Sequence, residues 1–204
     1  MKRSLWNLNL DLPRSDKNVK KEYKIPQGVI FDLFNNHHMR HLAIKTSFWN
    51  PFTNINEDVY DFLEDVNIIF TKGSLNDILT TRYDCVQDKI CFGLLPIINK
   101  LDTLELLMKH NIRFILLAPI SILGSVNFHK LIQIYNKELQ LIHPKTRVHY
   151  YNKKMKNGKK LRCTFDSVFI SVDCDFPKTI TYLKKYEKCN FQILDHTYNI
   201  KTNN

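Results

Sequence analysis

A chain of 204 residues has material for one full hydrophobic core and little for a second. Its 44% hydrophobic content is ordinary for a globular protein. No run approaches the roughly 18 uncharged apolar residues that a membrane-spanning helix needs, which excludes that class of function.

The formal charge of +10 is unevenly placed. Residues 1–24 carry seven Lys/Arg against three acids, residues 145–165 carry eight Lys/Arg and no acid, and the remainder is near balance. Two basic patches on an otherwise neutral domain suit a nucleic-acid backbone; a purely solubilising tail and loop is the plainer alternative. The five cysteines are scattered, odd in number and never in a CxxC pair. That pattern predicts reduced thiols in a cytoplasm-like compartment, with neither a disulfide framework nor a zinc site. Residues 1–24 have charges and no apolar h-region, so no secretory leader is expected.

In chain order, residues 1–22 read as a basic arm with Pro13, and residues 23–204 as one domain. Pro26 sits where a helix can begin, and Val29, Ile30, Leu33 and Phe34 follow at helical spacing. Residues 42–49 read as a strand, broken by Asn50-Pro51. Residues 57–64 read as a helix, 66–70 as a buried strand, and Cys85-Val86 as the centre of another strand. Residues 94–110 carry helical periodicity through Leu101, Leu104 and Met108, and residues 113–118 form a strongly apolar strand closed by Pro119. A helix over 128–135, strands over 148–151 and 161–172, a helix over 178–188 and a strand over 191–194 complete the pattern. Asn157-Gly158 carries a hairpin-turn signal between the two strands. Repeated βα units predict an α/β fold, a mainly parallel sheet covered on both faces and ending in an antiparallel hairpin. Ligands of such sheets sit beyond the carboxyl ends of the strands.

The fragments in those places resemble a known family. Tyr23-Lys24-Ile25-Pro26, Trp49-Asn50-Pro51-Phe52-Thr53, Asp77 after the 66–70 strand, Tyr83-Asp84-Cys85-Val86-Gln87-Asp88, Ile112 through Pro119, and Asn157-Gly158 through Thr164-Phe165 recur in that order. Together they are similar to small adenine-specific (N6) DNA methyltransferases of phages and bacteria, over roughly residues 23–172. The resemblance implies a Rossmann-like methyltransferase fold and S-adenosylmethionine as cofactor, held near Asn50, Phe52, Thr53 and Asp77. It also implies DNA as partner and a bacterial or phage-infected cytoplasm. The acid-free run with Lys153, Lys154, Lys156, Lys159 and Lys160, beside the expected target-binding edge, reads as a phosphate-contacting hairpin tip, with a solvated loop as the alternative, and no metal is expected.

The family's catalytic loop reads Asn/Asp-Pro-Pro-aromatic. Its acceptors hold the adenine amino group, and its aromatic stacks on the flipped base. The run aligned with it here is Asp88-Lys89-Ile90-Cys91-Phe92. Phe92 alone matches, and Lys89 replaces the acceptor with an ammonium that has donors and no lone pair. Thr53 stands where the family has an aspartate, which weakens the cofactor site. The expectation is a catalytically impaired protein that binds nucleic acid or a protein partner, as a non-catalytic subunit in a heterodimer or as a decoy or inhibitor. The alternatives are an active enzyme that uses Asp88 from a loop slipped by one residue, and a binding module that reached a Rossmann-like fold by convergence.

Other features have plainer readings. His37 and His41 would share a helix face but lack further metal ligands. Cys91 has no helper histidine adjacent in sequence. Ser121 and Ser125 lack the GxSxG spacing of a nucleophile elbow. Phe92 has a core reading beside its stacking one, and Asp77 a helix-capping one.

Overall fold

A computed structural model describes residues 25–52, 68–70, 74–96, 98–148, 150 and 166–183. The arm 1–22, the predicted helix over 57–64, the Asn157-Gly158 turn, the five lysines of 153–160, Thr53 and the strand over 191–194 lie outside those residues.

Helix α1 (Gln27–Phe34) follows Pro26 and buries Ile30, Leu33 and Phe34. Helix α2 (His37–Lys45) replaces the front of the strand expected over 42–49. The reason is local: Asn36 Oδ1 accepts from the backbone N–H groups of His38 and Met39, at 3.0 and 3.3 Å, and nucleates a helix that Leu42 and Ala43 then continue. Strand β1 is only Phe48–Asn50, all buried. Strand β2 is Ile68–Phe70, inside its expected range. Helix α3 (Leu75–Thr81) is capped by Ser74, and a 3-10 turn over Tyr83–Cys85 stands where a strand was expected.

The strand itself, β3, is Ile90–Leu94, with all five residues buried. Its continuous apolar run is the mark of a central parallel strand. The helix expected from residue 94 begins only at Lys100, as α4 (Lys100–Lys109), because Leu94 belongs to β3 and Pro96 follows. Strand β4 (Phe114–Pro119) and helix α5 (Val126–Ile134) fall within a residue or two of expectation.

Strand β5 (Leu139–His143) was not anticipated; its burial alternates, with Gln140 and Ile142 inward. Val148 and Tyr150, expected in a strand, are buried outside any strand. Strand β6 is Ser167–Val172. Residues 180–182 form strand β7 (Ile180–Tyr182) in place of the start of the helix expected over 178–188. β-Branched Ile180 and Thr181 pair with Leu141 and Ile142 along the β5 edge, so tertiary pairing overrides the helical reading.

Among the described residues, seven strands form one mixed sheet in the order β2-β1-β3-β4-β6-β5-β7. Four of the six pairings are parallel, and only β6 runs against its neighbours. One face packs against Ile30, Leu33, Phe34 and Met39 of α1 and α2. The other packs against Ile78, Leu79, Leu104, Leu107, Met108, Phe128 and Leu131 of α3, α4 and α5. The architecture is therefore α/β, with helices on both faces of a mostly parallel sheet. No helix among the described residues is long and apolar enough to cross a membrane.

Candidate functional site

The chain leaves β1 outward to β2, then crosses back to β3 on the other side of β1 and continues to β4. The direction of winding thus reverses between β1 and β3. In open α/β sheets the crevice beyond the carboxyl ends at such a reversal is where ligands bind.

Asn50 ends β1 at this point and is almost fully buried, at 1% exposure. The backbone N–H of Phe52 donates to Asn50 Oδ1 at 2.6 Å. That bond fixes the amide's orientation, because the atom accepting from an N–H must be the oxygen. The nitrogen, Nδ2, is then a donor, and it has no hydrogen-bond partner among the described residues. Across the reversal lies Gly93 of β3. A Cβ built on Gly93 would stand 2.9 Å from Phe52 Cδ2 and 3.2 Å from Asn50 Nδ2. Only glycine leaves room for both side chains, which is a common reason for glycine inside a strand. After β3 the chain continues through Leu95, buried, and Pro96 to Ile98, which is 79% exposed. At the head of α4, burial lowers the Lys100 ammonium below its ordinary lysine value.

The sequence-derived candidates are placed unevenly around this crevice. Asn50 ends β1 at this end of the sheet, and Phe52 follows two residues on. Asp77 lies at the same end of the sheet, exposed in the first turn of α3, where its own N–H donates to the capping Ser74 Oγ at 3.1 Å. Its acidic side chain also suits the positive end of the helix dipole.

Asp88 and Lys89 precede β3, so they lie at its amino end. A five-residue strand separates them from the crevice, about 16 Å at the usual strand rise. Lys89 Nζ donates to the carbonyl of Cys85, and the Asp88 carbonyl accepts from Arg113 Nη2 at 3.1 Å. Phe92 is fully buried in mid-strand, edge-on to Phe34 and Phe48 with centroids 5.5 and 6.2 Å away. The reading of residues 88–92 as the loop facing the site is therefore corrected. The strand starts where the loop was expected, and the aromatic is a core residue. The loop at the observed strand end is Leu94-Leu95-Pro96, with Gly93 just before it.

No family model, curated protein or solved structure matches the chain.

The remaining candidates resolve simply. Cys91 and Cys174 are buried, and burial raises both thiols: Cys91 well above the ordinary value, Cys174 to about 12. Neither is a nucleophile at neutral pH. His37 stacks on His38 at 5.5 Å. No group of three or more His, Cys, Asp or Glu among the described residues is arranged to hold a metal ion.

Sequence reasoning missed Gly93. The available signal was a glycine inside an apolar run, and it was masked because the run was divided between a catalytic loop and a helix.

Proposed function

We propose that this chain is a domain with a Rossmann-like methyltransferase layout that binds nucleic acid, DNA above all, and transfers no methyl group itself. It works as a non-catalytic partner of another subunit or as a decoy. The layout is supported by a mostly parallel sheet with helices on both faces and one antiparallel strand, β6, inserted near its end. The observation that carries the non-catalytic reading is the end of β3. Gly93, Leu94, Leu95 and Pro96 offer no side-chain acceptor for an adenine amino group. Losing an acceptor that tightens as charge develops costs about 3 kcal/mol of transition-state stabilisation, roughly a hundredfold in rate.

S-adenosylmethionine fits these residues poorly. A sulfonium favours acceptors and carboxylates; at the end of β1, Asn50 presents a donor and Phe52 fills the niche above Gly93, and the one candidate carboxylate described at this end is Asp77, exposed on α3. The slipped-loop enzyme using Asp88 is not supported either, since its carboxylate sits at the opposite end of β3.

Nucleic-acid binding rests on the acid-free basic segment 145–165. Each phosphate neutralised by a lysine contributes about 0.9 to the slope of log affinity against log salt. Replacing Lys153, Lys154, Lys156, Lys159 and Lys160 by glutamine is expected to flatten that slope by about 4 and to weaken binding most at low salt. Fluorescence anisotropy of a labelled duplex and a labelled single strand across a salt series makes the measurement. An unchanged slope, or no binding by the unaltered chain at low salt, would leave the patch a solubilising one.

A further inference from the structure

A hollow of about 230 Å³ lies between α2 and the turn that follows β6, and all of its lining residues are among those described. Small-molecule sites span roughly 300–1,000 Å³, so this one suits a single group of a larger ligand. We propose that it seats a phosphate of a nucleic-acid backbone, held by His38, His41 and Lys45. This inference rests on the nucleic-acid reading above and adds a second contact, on α2 rather than among the lysines of 153–160.

Helix α2 reads HHMRHLAIK, with three histidines, Arg40 and Lys45 and no acid. Met39 is its fully buried residue. His38, His41 and Lys45 follow one another at three and four positions, so one face of the helix turns all three to the hollow. They are exposed and can meet a ligand without any rearrangement of the core. Imidazole N–H groups and an ammonium all donate to phosphate oxygens. The floor is apolar, made by half-buried Leu42 and by buried Cys174 and Phe176. It suits the sugar next to the phosphate.

Asp175 is the acid that faces the hollow, and it opposes an anion there. Three donor-bearing side chains stand against that one carboxylate, so the balance still favours phosphate. A metal ion is the other ligand such side chains suggest, but among the described residues no three His, Cys, Asp or Glu are arranged to hold one. The basic segment 145–165 leads into β6 at Ser167, and the hollow lies past the far end of that six-residue strand, about 20 Å away at the usual rise. A backbone spanning about six base-pair steps covers that distance.

The test compares the full chain with the triple variant His38→Gln, His41→Gln, Lys45→Gln, by fluorescence anisotropy of a labelled duplex across a salt series. The slope of log affinity against log salt is expected to fall by about 1, and affinity at low salt by about tenfold. That fall should add to the one caused by replacing the five lysines of 153–160. Asp175 has φ of 55°, a left-handed conformation that asparagine tolerates. Asp175→Asn should tighten binding about threefold, and more than Asp102→Asn, which removes the same charge from the exposed first turn of α4. The unaltered chain supplies a readout that does not depend on how the variants fold: the ring C–H signals of His38 and His41 should shift with the duplex, and less with inorganic phosphate at the same concentration.

An unchanged slope in a folded triple variant, ring signals that ignore the duplex, or an Asp175→Asn effect no larger than that of Asp102→Asn would overturn the assignment and leave binding by the lysines of 153–160 intact. Ring signals that answer to inorganic phosphate and not to the duplex would make the hollow a free-anion site, and overturn the assignment as well. No binding of the duplex by the unaltered chain at low salt would overturn the nucleic-acid reading and this inference with it.

Discussion

Replacing Phe92 by alanine is expected to destabilise the protein by about 3 to 5 kcal/mol, the range for truncating a fully buried aromatic. Phe92 has no exposed surface and meets Phe34 and Phe48 edge-on, while Phe34 and Phe48 meet each other at 5.5 Å. The three rings join α1, β1 and β3. Truncation removes the transfer free energy of one ring and leaves a cavity between rigid elements that cannot close on it. Edge-to-face pairs add about 0.5 to 1.5 kcal/mol beyond area burial. Folded domains have a total stability of about 5 to 15 kcal/mol, so the loss is a large share of it. Urea unfolding of the two proteins should show a lower midpoint at an unchanged slope. A change below about 1 kcal/mol would mean that the ring is not in the core and that the base-stacking reading should return.

The second large effect is expected at Asp173. Lys137 Nζ lies 2.7 Å from Asp173 Oδ2 and also donates to Asn111 Oδ1, and Asp173 Oδ1 accepts from the Glu138 N–H at 3.1 Å. The cluster ties the turn before β4, the entry to β5 and the exit of β6. It therefore anchors the antiparallel pair at the amino end of β5.

The two charges are unequally buried: the Lys137 side chain is 8% exposed, that of Asp173 30%. Asp173→Asn is the suitable probe because Asp173 has φ of 54°, a left-handed conformation that asparagine tolerates. It leaves a nearly buried ammonium without its counter-charge and should be destabilising by about 3 kcal/mol. Lys137→Met leaves a carboxylate that water still reaches, and should be less costly. The double variant should lose much less stability than the sum of the two single losses, and a thermodynamic cycle from urea unfolding measures that coupling. Additive losses, or a larger loss for Lys137→Met, would contradict this picture of the cluster.

The layered α/β plan was legible because buried strands such as β4 read as continuous apolar runs, and because Leu104 and Met108 keep helical spacing. The errors have physical causes. Helix α2 was hidden by the apolar group Leu42-Ala43-Ile44, whereas the decisive signal was a single cap, Asn36. The β3 run was apolar throughout, so periodicity could not separate it from the start of a helix. The family pattern then drew its first half into a loop. That one slip moved Asp88, Lys89 and Phe92 into the crevice on paper, when two of them lie at the other end of the sheet and the third lies in the core. Asn50 and Phe52 were correctly placed at a strand end. The free donor of Asn50 was not legible, because it depends on a backbone N–H two residues on and on the missing side chain of Gly93, a residue 43 positions away.

Tritiated methyl transfer from S-adenosylmethionine to unmethylated DNA of varied sequence, by the isolated full chain, tests the central claim most directly. The expected result is no incorporation above that of the heat-denatured chain, because Gly93, Leu94, Leu95 and Pro96 at the end of β3 supply no side-chain acceptor for an adenine amino group. Robust incorporation that disappears with Asn50→Ala or Asp77→Ala would contradict the account and make the crevice an active site.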